Sequence, residues 1–555
     1  MTPQRLRSGV GLLLLLGLLL FGCSPKSESG DSQTNWLRSC QADAQCGGLN
    51  CLCGVCTRSC SNASACDGTL EASCVSASEV GAIAQCSGSS PPTPGLCLPR
   101  CNVTACANGQ MCVAGVCTPQ PQPAASVTID PNTRFQSLVG FGASLAYGEA
   151  QLTSHPQSAA LYDAIFNGLG LDVLRLRNRY EHTGDDDLTT TGQLLTAATQ
   201  ALGHQPTTFL SSWSPPAALK ASGALLCSGN LQSCTLAKTT AGAFNYAGLA
   251  DYWLASLGAY AKVGVVPDYV GIQNNPNWVP TTAEVGEACK FLPAEGTATV
   301  SFAGIDVVAS YPGFAEAQAA IVAAFSALPS QPKMLAPETS DFPSVASYMP
   351  SLDFARTAAL AHQWYGVNPD AVDLTGLAAI GKLESQYNRP IFITEMQTDG
   401  FGTALLLHYA TVVEGASAYL QTALTGAVSG PGANTQALIG IDATGYNLQD
   451  PYYAMRHFAH STDPGWTRID AASDASGLLV SAWLSPSEHD LTVILVNAGS
   501  VEVSARITLP GVWTSSEVTR SVFSGVERSA ALGQLSAQGL VRLPPDAVVT
   551  VALSR

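Results

Sequence analysis

Residues 271–278 read Gly-Ile-Gln-Asn-Asn-Pro-Asn-Trp, and the fold of most of the chain can be worked outward from them. A strand-like run, Val263 to Gln273, leads into Asn274, Asn275 and Pro276, so polar side chains gather where the strand stops. The same signature recurs along the chain. SLVGFGAS at 137–144, DVLRLR at 172–177, TTFLSS at 207–212 and DYVGIQN at 268–274 are four candidate strands. KMLAPE at 333–338, a run ending at Ala361-His362, IFITE at 391–395 and SAYLQ at 417–421 are four more. Alanine- and leucine-rich helical stretches lie between them. Eight such units predict an α/β fold, a (β/α)8 TIM barrel, whose functional groups come from the carboxyl ends of the strands. Here those ends carry Arg175, Trp213, Asn274, Glu338, Trp364, Tyr365 and Glu395.

The pattern changes on both sides of this region. After Asp470 the runs LLVSAWL, LTVILVN, VEVSARITL, EVTRSVF, LVRL and AVVTVAL are separated by Gly, Pro, Ser and Asn turns, which predicts a C-terminal antiparallel β-sandwich. The short run VTID at 127–130 suits an extra strand of the same sandwich. The expected division is therefore a barrel over 126–470, with 126–135 contributing to the sandwich, and a sandwich over 471–555. The proline-rich segment TPQPQPAA, 118–125, reads as the linker before it.

Fifteen of the 18 cysteines fall in the first 117 residues, 14 of them between Cys40 and Cys117. The spacing Cys40, Cys46, Cys51, Cys56 recurs as Cys101, Cys106, Cys112, Cys117, an internal repeat. In an exported chain an even number of cysteines in small loop-rich units implies disulfides, each stabilising by about 2–4 kcal/mol. Zinc is a poor competitor, because no histidine precedes His155. A disulfide-rich N-terminal module over 40–117 is thus expected, acting as a rigid stalk in preference to a binding module.

Arg5 and Arg7 precede the apolar run GLLLLLGLLLF, which is too short for a membrane span and reads as a secretion signal over 1–22. Leu20-Phe21-Gly22-Cys23 resembles a bacterial lipobox, implying cleavage before Cys23, a lipid on its thiol and a polar tether over 23–39. The implied location is the cell envelope, lipid-anchored at the outer membrane or cell surface. Of the 555 residues 46% are hydrophobic, enough for two or three domains. A formal charge of −16 with only 12% charged residues leaves no basic run for nucleic acid or anionic membrane, so membrane contact is expected only through Cys23. A sparsely charged, acidic surface suits neutral partners such as glycans, and the chain is expected to act as a monomer.

Together these pieces resemble glycoside hydrolase family 30, over roughly residues 126–555. FQSLVGFGAS looks like its first barrel strand, GLDVLRLR its second, FLSSWSPPAALKASG its third-strand loop and IQNNPNW its fourth strand end. LAPE, HQWYG and IFITE are similar to strands five to seven, and YYAMRHFAHSTDPGWTRIDA matches the passage into the sandwich. The resemblance implies a retaining hydrolase of β-linked polysaccharide or glycoconjugate, with Glu395 as nucleophile and Arg175 beside it. It implies Asn274 on the sugar 2-hydroxyl and the acid/base glutamate at the position of Asn275. Retention requires two carboxyls about 5–5.5 Å apart, one attacking and one donating a proton.

An amide has no proton to give near neutral pH, and losing that role forfeits about 10²–10⁴ in rate. Three readings of Asn275 stay open. Glu284, Glu287 or Glu338 supplies the proton instead; or the site acts slowly, on good leaving groups; or the chain is a catalytically impaired homologue that binds glycans. Trp213, Trp364 and Tyr365 are candidates for stacking on sugar faces. SAYLQTAL places Gln421 and Thr422 where the family carries aromatic residues. Arg177 faces the same way as Arg175 by the strand period, and His362 reads as structural. Cys227 and Cys234 bracket SGNLQS and suit a local disulfide, leaving Cys289 unpaired. No phosphate-cradling loop or metal cluster is apparent in the barrel, so no cofactor and no metal are expected.

Overall fold

Strand Val173–Arg177 shows how the main domain is built. Val173 belongs to an inner apolar cluster and Leu174 and Leu176 to an outer one, as the two-residue strand period dictates, and all five residues are buried. Only a strand covered on both faces buries both sets. In this computed structural model eight such strands close into a barrel. They are β1 (Gly140–Ser144), β2 (Val173–Arg177), β3 (Thr207–Ser211) and β4 (Tyr269–Gly271), then β5 (Lys333–Thr339), β6 (Thr357–Gln363), β7 (Ile391–Met396) and β8 (Ala418–Gln421). Each pairs in parallel with the next, and β8 closes onto β1. The interior holds Val173, Phe209, Tyr269, Leu335, Phe392 and Leu420, so it is a packed core and not a pore.

The structure describes residues 40, 42–52, 55–66, 72–76, 95–99, 110–113, 116–119 and 124–555, the last span without 228–233, 281–284, 303–304, 431–432 and 536–538. The expected leader, the tether with Cys23, and Glu284 lie outside these residues. Met1–Gln120 and Pro121–Arg555 form two compact units. No helix among the described residues is long and apolar enough to cross a membrane.

Outside the barrel, helix Tyr246–Lys262 illustrates the layer that covers it. Leu249, Trp253, Leu257 and Tyr260 recur at helical spacing on its buried side, and Asn245 caps its first turn by accepting from the Gly248 N–H at 3.0 Å. This helix reaches to the first residue of the run that the sequence pattern assigned to a strand. The run from Val263 does not begin one: Val263 ends the helix, Gly264 turns with φ 81°, and β4 spans only Tyr269–Gly271. Beyond Gly271 the chain leaves the ladder, with the Asn274 N–H donating to Ser212 O at 2.7 Å and the Asn275 N–H to Glu338 O at 3.1 Å.

The C-terminal strands form one nine-stranded sheet whose two ends share a single apolar core, including Val518 near one end and Val541 at the other, so the sheet doubles back as a sandwich. It begins at Thr467, within strand Thr467–Ser473, earlier than the expected 471. The predicted N-terminal contribution is longer than VTID: strand Ala124–Ser137 runs for 14 residues. It lies between Thr467–Ser473, antiparallel, and Val503–Thr508, parallel, so the sheet is not purely antiparallel. Leu491, Val493 and Leu495 face the sandwich core while Ile494 and Val496 join the outer barrel cluster. That double burial explains the unbroken apolar run LTVILV. At the seam, Phe141 of β1 packs edge-on against Trp483 and Phe458, with ring centroids 6.3 and 6.0 Å apart.

In the N-terminal unit, eight described cysteines form four disulfides: Cys40–Cys51, Cys46–Cys56, Cys60–Cys74 and Cys66–Cys97. Three short antiparallel ladders place Cys51 opposite Cys56, Cys74 opposite Cys97 and Cys112 opposite Cys117. The repeat visible as two copies in sequence therefore has a third, middle copy, hidden because its strands Ala72–Ser76 and Gly95–Pro99 are far apart in the chain. Residues 118 and 119 end a ladder strand, and Ala124 already starts the sandwich strand, so both ends of the expected linker are in strands.

Trp483 is fully buried where barrel and sandwich meet. Trp483→Ala is expected to destabilise the domain by about 3–5 kcal/mol, read as a lower urea midpoint.

Candidate functional site

Above the apolar interior, the next inward residue of β2 is Arg175, which is 0% exposed. A buried guanidinium must be paired, and Arg175 is paired twice. One nitrogen bonds Glu395 Oε1 at 2.5 Å; the other bonds Glu338 Oε1 and donates to Asn274 Oδ1 at 2.7 Å. The Trp213 ring lies 4.2 Å from the guanidinium carbon, a cation–π contact that covers its face. One cation thus ties together the ends of β2, β4, β5 and β7.

The supporting residues are small and polar. Ser211 donates to Glu338 Oε2 at 2.8 Å, and Gln363 Nε2 donates to Asn274 Oδ1 at 2.6 Å. Gly271 has no side chain for a reason: a Cβ there would collide with Glu338 Oε2 and the Phe209 ring. Glu395 closes the apolar strand β7, and its second oxygen accepts from the Tyr365 hydroxyl at 2.7 Å. Burial, then the Glu395 charge, push the Tyr365 phenol above its ordinary range, which keeps it a donor. Its ring is half exposed.

Asn275 occupies the left-handed region with φ 50°, and Glu338, to whose carbonyl its N–H donates, does the same with φ 65°. Asparagine tolerates this conformation better than most residues. Its Oδ1 is buried and bonds no group of the chain. The amide can accept or donate a hydrogen bond at this point, and it cannot titrate.

The expected site residues separate into three sets. Arg175, Trp213, Asn274, Glu338, Tyr365 and Glu395 converge, with Asn275 beside them. Trp364 does not: it is fully buried in the outer cluster of the barrel, so the expected stacking role is corrected to core packing. Glu338 is corrected as a proton donor, because it is fully buried and both its oxygens are held by Arg175 and Ser211. Glu287 lies at the rim of the barrel and bonds Arg177 at 2.5 Å, with its other oxygen 4.0 Å from His182 Nδ1. Burial raises the Glu287 carboxyl, and burial with the Arg177 charge pushes His182 down to about 4. Glu284 is outside the described residues.

Other residues were not legible as site residues. Ser211, Gln363 and Gly271 carry no signal in a single sequence. Tyr147 follows β1, is 67% exposed and covers Arg177 with its ring at 4.2 Å, and Trp278 is exposed three residues after Asn275. Gln421 is spent on the backbone of Gln436 at 2.8 Å. His362 faces outward and pairs with Glu414. Cys227 and Cys234 are joined, and Cys289 is a buried thiol. Among the described residues, the groups close enough to share a metal ion are cysteines already in disulfides.

Burial pushes the Glu338 carboxyl from its ordinary 4.5 up to about 7, with Arg175 opposing. Between these values the folded protein holds a proton that the unfolded chain has released, so Glu338 contributes stability that is lost as pH rises through that window. Glu338→Gln cannot titrate. It is expected to gain stability relative to wild type between about pH 5 and about pH 7.5, measured as the difference in urea midpoints.

No protein-family model and no curated protein matches the chain. Solved structures do match. The catalytic domain of a GH30 xylanase C from Talaromyces cellulolyticus superposes with TM-score 0.60 and 17% identity, covering 78% of this chain and 100% of that one. A glycoside hydrolase family 30 subfamily 8 xylanase from Clostridium acetobutylicum matches with TM-score 0.56, 18% identity and the same coverage. A conserved exported protein from Bacteroides fragilis matches with TM-score 0.63 and 14% identity, over 77% of this chain and 100% of that one. The barrel and its sandwich thus have a glycoside hydrolase family 30-like fold.

Proposed function

We propose that this chain is a retaining glycoside hydrolase that cleaves β-glycosidic bonds in polysaccharide or glycoconjugate, with Glu395 as nucleophile. The observation that carries the reading is the hold on Glu395. Its carboxylate stands at the end of a barrel strand, one oxygen on Arg175 and the other on the Tyr365 hydroxyl, on the fold of known glycosidases. Each oxygen keeps a lone pair, so the group is fixed in orientation yet able to attack an anomeric carbon. Asn274, held by Arg175 and Gln363, stands ready for a sugar hydroxyl. Exposed Tyr365 and Tyr147 and half-covered Trp213 offer ring faces for the sugar. The disulfides suit an exported protein, and we place it on the bacterial envelope through a lipid on Cys23.

Asn275 favours one competing reading, a glycan-binding protein on this scaffold. Incubation with activated 2-deoxy-2-fluoro β-glycosides, followed by peptide mass spectrometry, separates the two. The enzyme reading expects a covalent sugar on Glu395 and none in Glu395→Gln; a folded chain that binds glycan and is never labelled sinks it. Asn275→Glu is expected to raise turnover of unactivated substrates by about 10²-fold or more, assayed as reducing sugar released.

A further inference from the structure

Trp278 and Asn275 share one tight turn. The Trp278 N–H donates to the Asn275 carbonyl at 3.0 Å, and the indole is 37% exposed while the Asn275 amide oxygen is buried. An exposed tryptophan therefore lies in the same turn as Asn275, the position at which the resemblance expects the acid/base group. The Tyr365 hydroxyl is bonded to Glu395. The two described carboxylates nearest to a proton-donor role are committed elsewhere, Glu338 to Arg175 and Ser211, Glu287 to Arg177.

A sugar alkoxide is too basic to depart without a proton. A phenol, with a pKa near 10, departs as phenolate, and its ring suits stacking on an exposed indole. We propose that this site acts on aryl glycosides, sugars carried on a phenol, in preference to sugar–sugar linkages, with Trp278 receiving the phenol ring beside Asn275. The inference narrows the preceding reading and rests on it.

The chemistry balances without an acid. A Glu395 oxygen bonds the anomeric carbon as the bond to the phenol oxygen breaks, and that electron pair leaves on the phenolate. Asn275 donates a hydrogen bond to the departing oxygen and keeps its proton. Water then attacks the glycosyl-enzyme, the bond to Glu395 breaks, the pair returns to the carboxylate, and the proton lost by water goes to solvent. With no carboxylate at position 275 to take that proton, the second step is the slower one. An anionic acceptor, which has no proton to lose, speeds it.

The test uses the full chain with substituted phenyl β-glycosides of glucose, xylose, galactose and fucose, the matching β-linked disaccharides, and azide as the anionic acceptor. The inference expects a burst of dinitrophenolate followed by slow turnover, and kcat/KM falling by about 10²–10⁴ as the leaving group becomes less acidic. It expects slower cleavage of disaccharides, and faster turnover with azide that yields β-glycosyl azide. Trp278→Ala should lower kcat/KM on aryl glycosides about 10-fold more than on the glycosyl fluoride, and Trp278→Phe should restore most of it. Values of kcat/KM indifferent to leaving-group acidity, disaccharides cleaved as fast as aryl glycosides, or equal loss on fluoride and aryl substrates would each overturn the inference. If Glu395 is still labelled in those cases, the hydrolase reading stands; if no fluoro-sugar labels Glu395, both fall.

Discussion

A single guanidinium shared between two carboxylates governs this site. Arg175 cannot be buried unpaired, so Glu338 and Glu395 are brought to it from strands five and seven of the barrel. One positive charge does not compensate two negative ones in a water-poor interior, which is why burial wins at Glu338. The consequences spread through neighbouring residues. Gly271 is bare so that Glu338 can fit, Ser211 takes up its second oxygen, and Trp213 covers the cation. The Glu395 carboxylate is therefore positioned by the barrel as a whole, not by its own strand.

The departure at Asn275 is local by comparison. The backbone there is held in a left-handed turn against Glu338, and the side chain is an amide where the resemblance expects an acid. The rest of the cluster is assembled: Glu395 and Asn274 are bonded to Arg175, and the Tyr365 hydroxyl to Glu395. A site that had drifted to pure binding would have no need of a carboxylate gripped at both oxygens. A site specialised for a departing group that needs no proton would keep that grip and could dispense with the acid.

Much of this was legible in the sequence, for identifiable reasons. Barrel strands declare themselves because burial on both faces gives short apolar runs, and strand ends expose their polar residues, so Arg175, Asn274 and Glu395 could be named. Depth could not be read. Glu338 looks like any strand-end acid, and only the packing shows it beneath Arg175. Trp364 and Tyr365 are adjacent aromatics, one buried outside the barrel and the other bonded to Glu395. Strict alternation along β6 separates them: Ala361, Gln363 and Tyr365 face inward and His362 and Trp364 outward, while the extra residue at the register shift, Thr394, lies on β7. The middle cysteine repeat escaped because its two strands are separated by a long segment, which breaks the spacing that betrayed the other two copies.

The strand Ala124–Ser137 sits in the sandwich between two strands, Thr467–Ser473 and Val503–Thr508, that are made only after the whole barrel, and the Ser126 N–H is bonded to the Asp474 carboxylate, 348 residues away. The first element of the domain is thus without neighbours until nearly the whole chain has been made. During synthesis this edge must be shielded or kept extended, because an unpaired strand of that length is a template for any other chain. The same arrangement makes the domain intolerant of early termination: a chain ending after the barrel would leave that strand unpaired and the apolar seam around Phe141 open to water.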